Sequence, residues 1–217
     1  MKAKRKGRVA PRIDLDSLEN NFASQIASGA VYNARLAGAP LPPLHSARDQ
    51  RVSLMGCVLD NVSLADTNAR QLLLSDVRLE SSDLANIDCS ASTFERVEII
   101  ATRLTGAVCN QAQWKSVLFR ECRLDLIMAR MAAFEECVFE DCNLTQADFY
   151  AADLTGAIFR RCDLSCADIA QAKLTGADIR DCRIDGVRGM PGAMEGLIIS
   201  PEQAALLITL FGVTVKP

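Results

Sequence analysis

Cysteine is the residue type in this chain whose spacing most suggests chemistry. The sequence contains nine cysteines, and four of them recur at a constant interval: Cys122, Cys142, Cys162 and Cys182. A zinc site needs four ligands that converge tetrahedrally, whereas the side chains of such a column would point in parallel. Buried thiols also pack as small apolar groups. We therefore interpret the column as core packing and expect only Cys166, at an outward position, to react with thiol reagents.

No other residues form a recognisable catalytic arrangement. The only histidine, His45, lies in a proline-rich stretch and has no partner at the spacing of a triad or a metal site. The sequence contains neither a GxGxxG nor a GxxxxGK[ST] phosphate-binding motif. We therefore expect no enzyme active site, no metal and no cofactor.

The distribution of apolar residues favours a cytoplasmic protein. No stretch approaches the roughly 18 apolar residues that span a bilayer, so we expect no membrane contact. The basic start MKAKRKGR is not followed by the apolar run of a secretory signal. Free cysteines in odd number are typical of a reducing compartment.

A period of five residues organises the middle of the chain. Every fifth residue from Leu54 to Ile184 gives 27 positions, which hold 12 Leu, six Phe, four Ile, one Trp, two Ala and two Cys. The positions two residues earlier, from Val52 to Cys182, are Val or smaller in 24 of 27 cases. None of these 54 positions is charged. Because an unpaired buried charge costs several kcal/mol, both classes must face a core, and the units must stack to bury them.

The repeat resembles the A(D/N)LXX signature of pentapeptide-repeat proteins. The units that carry the resemblance include Ala152-Asp153-Leu154-Thr155-Gly156, Ala167-Asp168-Ile169, Ala147-Asp148-Phe149, Cys142-Asn143-Leu144 and Cys162-Asp163-Leu164. The resemblance implies an all-β fold, a right-handed quadrilateral β-helix with four pentapeptides in each coil. At ~4.8 Å per coil, nearly seven coils make a rod about 32 Å long.

Both ends of the rod need caps, because a solenoid otherwise exposes apolar surface and unpaired backbone. The spacing of Leu15, Leu18, Phe22 and Ile26 predicts a short amphipathic N-terminal helix. At the other end, Ser200 begins a capping box, which predicts a helix over 201–211. We thus expect four segments: a basic disordered head (1–12), an N-terminal cap with a proline-rich linker (13–48), the solenoid (49–187), and a C-terminal cap with a dimerisation helix (188–217).

The C-terminal helix is apolar around most of its circumference. One side can cover the last coil, and the rest needs another apolar partner. The ending resembles that of the Qnr/MfpA-type family members, which implies a homodimer; a monomeric cap under a loop is the alternative. The expected dimer interface consists of Leu206, Leu207, Leu210 and Phe211.

Charge is unevenly distributed within the formal net charge of −3. Residues 1–51 sum to +5 and residues 52–187 to −8. We use the name acidic face for the outward positions around Leu59, Leu79, Ile99, Phe119, Phe139, Phe159 and Ile179. Its eight acidic residues are Asp60, Glu80, Glu98, Glu121, Glu140, Asp141, Asp178 and Asp181, and its five arginines are Arg78, Arg120, Arg160, Arg161 and Arg180.

The resemblance to Qnr/MfpA-type proteins implies a function for this face. Those proteins bind DNA gyrase and topoisomerase IV as DNA mimics and protect them from quinolones or other poisons. Duplex DNA of the same length carries about 19 charges, against a net 8 in the rod, so mimicry is partial. The alternatives are a structural module with an unrelated protein partner and, for the basic head, direct contact with nucleic acid or with the acidic rod.

Overall fold

The computed structural model describes residues 7–26, 28–38 and 51–214. The strands in these residues are Ala30–Tyr32 (β1), Arg35–Ala37 (β2), Ser53–Met55 (β3), Val58–Asp60 (β4), Leu73–Glu80 (β5), Thr93–Ile100 (β6), Gln113–Lys115 (β7), Leu118–Arg120 (β8), Ala133–Glu135 (β9), Val138–Glu140 (β10) and Ile158–Arg160 (β11). The α-helices are Phe22–Ile26 (α1) and Pro201–Leu207 (α2), and 3-10 turns span Leu15–Ser17, Pro191–Met194 and Ile208–Phe211. None of these helices is long and apolar enough to cross a membrane.

The named strand pairs are parallel, and the chain forms a β-solenoid of about six turns. From β3 onward, paired strands lie four repeat units apart, so that Leu74 lies opposite Phe94 and Val138 opposite Ile158. Isolated bridges continue the same register where strands are too short to be assigned, as between Asp148 and Asp168. The predicted coil of four units is confirmed.

The turns explain why a five-residue unit returns the chain to the core. The residue two after each large inward residue has a left-handed backbone in most units, as at Asp141 (φ 53) and Gln146 (φ 57). Many of these corners hold residues other than glycine, which shows that the fold imposes this conformation on them.

The core confirms the assignment of inward positions, because all 27 residues of the series from Leu54 to Ile184 are buried. Aromatic rings stack from coil to coil: the ring centroids of Phe119 and Phe139 are 4.7 Å apart, and those of Phe139 and Phe159 are 4.6 Å apart. Trp114 stacks on Phe94 at 3.7 Å. A charged side chain at such a position would have no polar partner.

The solenoid begins on the N-terminal side of residue 49, where the sequence spacing placed its start. β1 pairs with β3 and β2 with β4, so residues 30–37 form part of the first coil. In the later coils, paired residues are four repeat units apart in the chain, as Leu74 and Phe94 are. Val31 and Leu54 also pair, but the chain between them is three residues longer. The additional residues break the period and conceal these two units from a search at fixed spacing.

The N-terminal cap is built from two short helical pieces rather than the single predicted helix. Glu19 pairs with Ala34 as an isolated bridge, and its N–H donates to the carbonyl of Asn33 at 2.9 Å. This pairing interrupts the helix between Leu15, which is exposed, and Phe22, which is buried. Residues 1–6 of the predicted head, and residues 39–50 with most of the predicted proline-rich linker, lie outside the described residues.

The C-terminal cap follows the predicted capping box. Ser200 accepts from the N–H of Gln203, and α2 continues as a 3-10 turn to Gly212, which has φ 74. The side chain of Gln203 is buried, and its Nε2 donates to the carbonyls of Ile179 (2.7 Å) and Cys182 (2.8 Å). One amide group therefore donates to two backbone carbonyls of the last coil and joins the cap to it.

Candidate functional site

The acidic face is a parallel sheet formed by β4, β8, β10, β11 and the second halves of β5 and β6. Its outward side chains lie above one another at the spacing of the strands. Seven of the eight predicted acidic residues are exposed or half-buried there, while Glu98 is buried. The structure therefore places the predicted carboxylates on one face, in rows parallel to the rod axis.

Arginines pair with six of these eight carboxylates, and for four of the six the arginine lies on a neighbouring coil. Glu140 accepts from Arg120 Nε at 3.1 Å and from Arg160 Nη1 at 2.7 Å, one coil to either side. Partial burial acts to raise the pKa of Glu140, but the hydrogen bonds from these two arginines outweigh it and hold the pKa below its ordinary value. Glu140 is therefore ionised at neutral pH and already neutralised within the rod.

The same pairing extends along the face. Arg161 donates from Nε and Nη2 to the two carboxylate oxygens of Asp141, at 2.6 and 2.7 Å. These hydrogen bonds lower the pKa of Asp141. The other paired carboxylates are Asp60 with Arg35, Glu80 with Arg78, Glu98 with Arg78 and Arg8, and Asp178 with Arg180.

Two predicted residues differ from the rest. Glu121 and Asp181 are exposed, and neither carboxylate lies within ion-pair distance of a basic group among the described residues. Counting Arg8 and Arg35, the face holds eight carboxylates and seven guanidinium groups, a formal charge of −1. The negative potential of this face is therefore concentrated at Glu121 and Asp181.

The aspartates of the repeat signature have a structural role that charge counting does not show. Their carboxylates accept a hydrogen bond from the backbone N–H two residues later, for example from Ser165 to Asp163 at 2.9 Å and from Thr155 to Asp153 at 3.1 Å. This pairing satisfies a donor at the turn. These aspartates stabilise the turns. One carboxylate oxygen of each accepts from the turn N–H, so only part of the charge of the carboxylate is available to a partner protein.

The cysteines lie as the sequence predicts. Cys122, Cys142, Cys162 and Cys182 are buried in a column, whereas Cys166 is exposed. Burial raises the pKa of the Cys137 thiol, which lies outside this column, to about 12. Across the described residues, no three His, Cys, Asp or Glu side chains converge as a metal site requires. His45 lies outside the described residues.

The predicted dimer residues separate into two groups. Leu207 is buried and lines the end of the core with Ile184 and Leu197, so it belongs to the cap. Leu206 is 46% exposed and Leu210 is half-buried, while the side chain of Phe211 lies outside the described part of the structure. Ile208 and Val213, which the sequence reasoning did not select, are also exposed.

Comparisons with known proteins agree with this architecture. Residues 73–111 match a family model described as pentapeptide repeats (8 copies), and residues 112–189 match one described as a pentapeptide repeat region. Together these stretches span more than half of the 217-residue chain. The comparison with curated proteins gave no match.

Solved structures resemble the chain at low identity. HetL, a pentapeptide repeat protein involved in heterocyst differentiation regulation from Nostoc sp. strain PCC 7120, is 20% identical; the match covers 73% of this chain and 84% of HetL, with a TM-score of 0.35. A trypsin-treated variant of QnrB1, a plasmid-mediated fluoroquinolone resistance protein, is 14% identical over 87% of this chain and 99% of QnrB1, with a TM-score of 0.39. Likeness at this level identifies no partner. The repeat, the parallel solenoid and the matching family models lead to one assignment: the chain belongs to the pentapeptide-repeat family.

Proposed function

We propose that this protein binds a type II topoisomerase, DNA gyrase or topoisomerase IV, through the acidic face and protects the enzyme from quinolones or other poisons. The observation that carries the proposal is a sheet with carboxylates in axial rows, among which Glu121 and Asp181 are exposed and unpaired with any described basic group. A basic channel built for duplex DNA attracts such a rod electrostatically. The repeat motif encodes the fold and not the partner, so the face itself must supply the recognition.

The proposal includes a homodimer formed through the C-terminal cap. Leu206 (46% exposed), Ile208 (41%) and Val213 (45%) are exposed apolar residues in the C-terminal cap. Apolar side chains that one chain leaves exposed can be covered by a second copy. Joining two rods end to end would double the length of the acidic face, which a mimic of duplex DNA requires.

The dimer is tested by charging adjacent positions on α2. We expect Leu206→Asp to give a folded monomer, because Leu206 is exposed within one chain. Leu207→Asp should instead lower thermal stability, because Leu207 is buried in the cap. Light scattering measures the mass, and circular dichroism measures the fold. A wild-type protein that is monomeric at micromolar concentration contradicts the dimer.

The function is tested with purified gyrase in a supercoiling assay, with and without a quinolone. We expect the protein to change supercoiling or poison sensitivity at micromolar concentration, and to compete with linear DNA. Because the attraction is electrostatic, binding should weaken as salt rises. Absence of binding and of any effect on both topoisomerases at tens of micromolar protein would exclude the proposal.

A second candidate is an interaction module for an unrelated protein partner. The extensive pairing of arginines with carboxylates supports it, because a face with a formal charge of −1 is a poor electrostatic copy of DNA. Binding to neither topoisomerase would favour this second candidate.

A further inference from the structure

The N-terminal segment of residues 7–12, which we call the strap, lies against the rod. Arg8 Nη2 donates to Glu98 Oε1 at 3.0 Å, and the N–H of Arg12 donates to Asp76 Oδ1 at 2.9 Å. Asp76 and Glu98 belong to successive coils. The strap therefore runs lengthwise, across the strands, along the corner between the acidic face and the face that precedes it in each coil.

Outward positions beside the strap are buried, as expected if the strap covers this corner. Ser116 is 2% exposed, Leu118 3% and Glu98 8%, although all three occupy outward positions of the repeat. The equivalents of Leu118 in the next two coils, Val138 and Ile158, are only half-buried. Water is thus excluded where the strap lies and admitted farther along the same corner.

The contacts are those of a bound ligand rather than of a solvated tail. The carboxylate of Glu98 accepts from Arg8 on one oxygen and from Arg78 Nε and Nη2, at 3.2 and 3.0 Å, on the other. Asp76 holds the strap backbone with the same oxygen that accepts from Arg96 Nε. Removing Arg8 would leave the carboxylate of Glu98 buried with one partner fewer.

The corner also contains an open pocket beside the strap. The pocket has a volume of about 410 Å³ and lies beside Gly7 and Val9. Three carboxylates line it, together with the basic side chains that pair with two of them: Glu95 with Arg96, Glu135 with Lys115, and Glu136. The Nη1 atom of Arg8 is buried with no hydrogen-bond partner among the described residues. A ligand with a further basic side chain would meet Glu136, which has no ion-pair partner among the described residues. It would compete with Arg96 for Glu95 and with Lys115 for Glu135.

We propose that this corner, lined by Asp76, Glu95, Glu98, Glu135 and Glu136, is a recognition groove for an extended arginine-bearing segment of a partner protein. In the free protein the strap occupies the groove in cis. A tethered segment has an effective concentration in the millimolar range, so the partner must displace the strap before it reaches this edge of the acidic face. The inference does not depend on which protein the rod binds.

The groove is tested in the full-length chain with a fluorescent synthetic peptide of residues 7–13, GRVAPRI. Arg8→Glu repels the strap from Glu98 and leaves the groove intact, so the variant should bind the peptide at least about tenfold more tightly than wild type does. Arg8→Glu with Glu98→Gln should lose that gain. Arg70→Glu, which breaks an exposed ion pair with Asp88 on a different face, should behave as wild type.

A second experiment measures how accessible the strap is to a protease. Trypsin should cleave after Arg12 several-fold faster in Arg8→Glu than in wild type or Arg70→Glu, while circular dichroism shows all three folded. Equal peptide binding by wild type and Arg8→Glu, or no binding by either, overturns the groove. Equal cleavage rates overturn the cis occupation. Neither assay contains a topoisomerase, so failure here leaves the proposed function to its own test.

Discussion

Leu144→Asp should unfold the rod, or lower its melting temperature by at least about 10 °C. Leu144 is fully buried between equivalent leucines one coil to either side. The substitution removes a large apolar side chain, at about 2–5 kcal/mol, and places a carboxylate where no donor is available, at several kcal/mol more. In a domain of this size, 1 kcal/mol shifts the melting temperature by about 2–4 °C.

The matched control is Thr145→Asp, one residue along the chain. Thr145 is half-buried at an outward position, so the same charge remains in contact with water. We expect a change of less than about 1 kcal/mol, measured by thermal and urea denaturation of both variants. Similar losses of stability in the two variants would contradict the inward and outward assignment on which the whole fold depends.

The coil and its core were predictable because each unit repeats one physical requirement. A charge-free pair of positions every five residues has no other stable solution than a stack, and the stack fixes Leu74 opposite Phe94. The C-terminal cap was predictable from local chemistry, since the capping box needs only the short stretch from Ser200 to Gln203. That Gln203 also pairs two carbonyls of the last coil depends on tertiary packing, which local chemistry does not give.

The ion pairs could have been predicted and were not. Once the coil is known to hold four units, opposite charges one coil apart must meet, as Asp141 does with Arg161 and Glu140 with Arg160. Adding up the formal charges of a face counts these side chains as if they formed no ion pairs. The register shows instead that most of the acidic face is neutralised from within.

The strap could not have been predicted by any periodicity. Arg8 and Glu98 are far apart in the chain, and nothing in their neighbourhoods marks them as partners. The first coil was missed for a related reason, because Val31 meets Leu54 outside the regular register. Both contacts involve residues on the N-terminal side of the regular repeat. Their positions depend on the path of the intervening chain, which the five-residue period does not determine.

Glu121→Lys combined with Asp181→Lys should weaken topoisomerase binding by at least about tenfold and reduce its dependence on salt. These two carboxylates are exposed and have no ion-pair partner among the described residues, so they carry the charge that a basic channel can reach. Glu140 is a poorer choice, because a lysine there would face Arg120 and Arg160 and disturb the fold.

The control is Asp66→Lys combined with Glu195→Lys, which makes the same change in net charge at two exposed carboxylates that lie off the acidic face and have no ion-pair partner among the described residues. Both pairs are compared by gyrase binding at two salt concentrations and by thermal denaturation. Weakening confined to Glu121 and Asp181 locates recognition on the acidic face, because net charge and fold are matched. Equal weakening by both pairs means that the partner responds only to total charge, and no weakening by either means that this face is not the one bound.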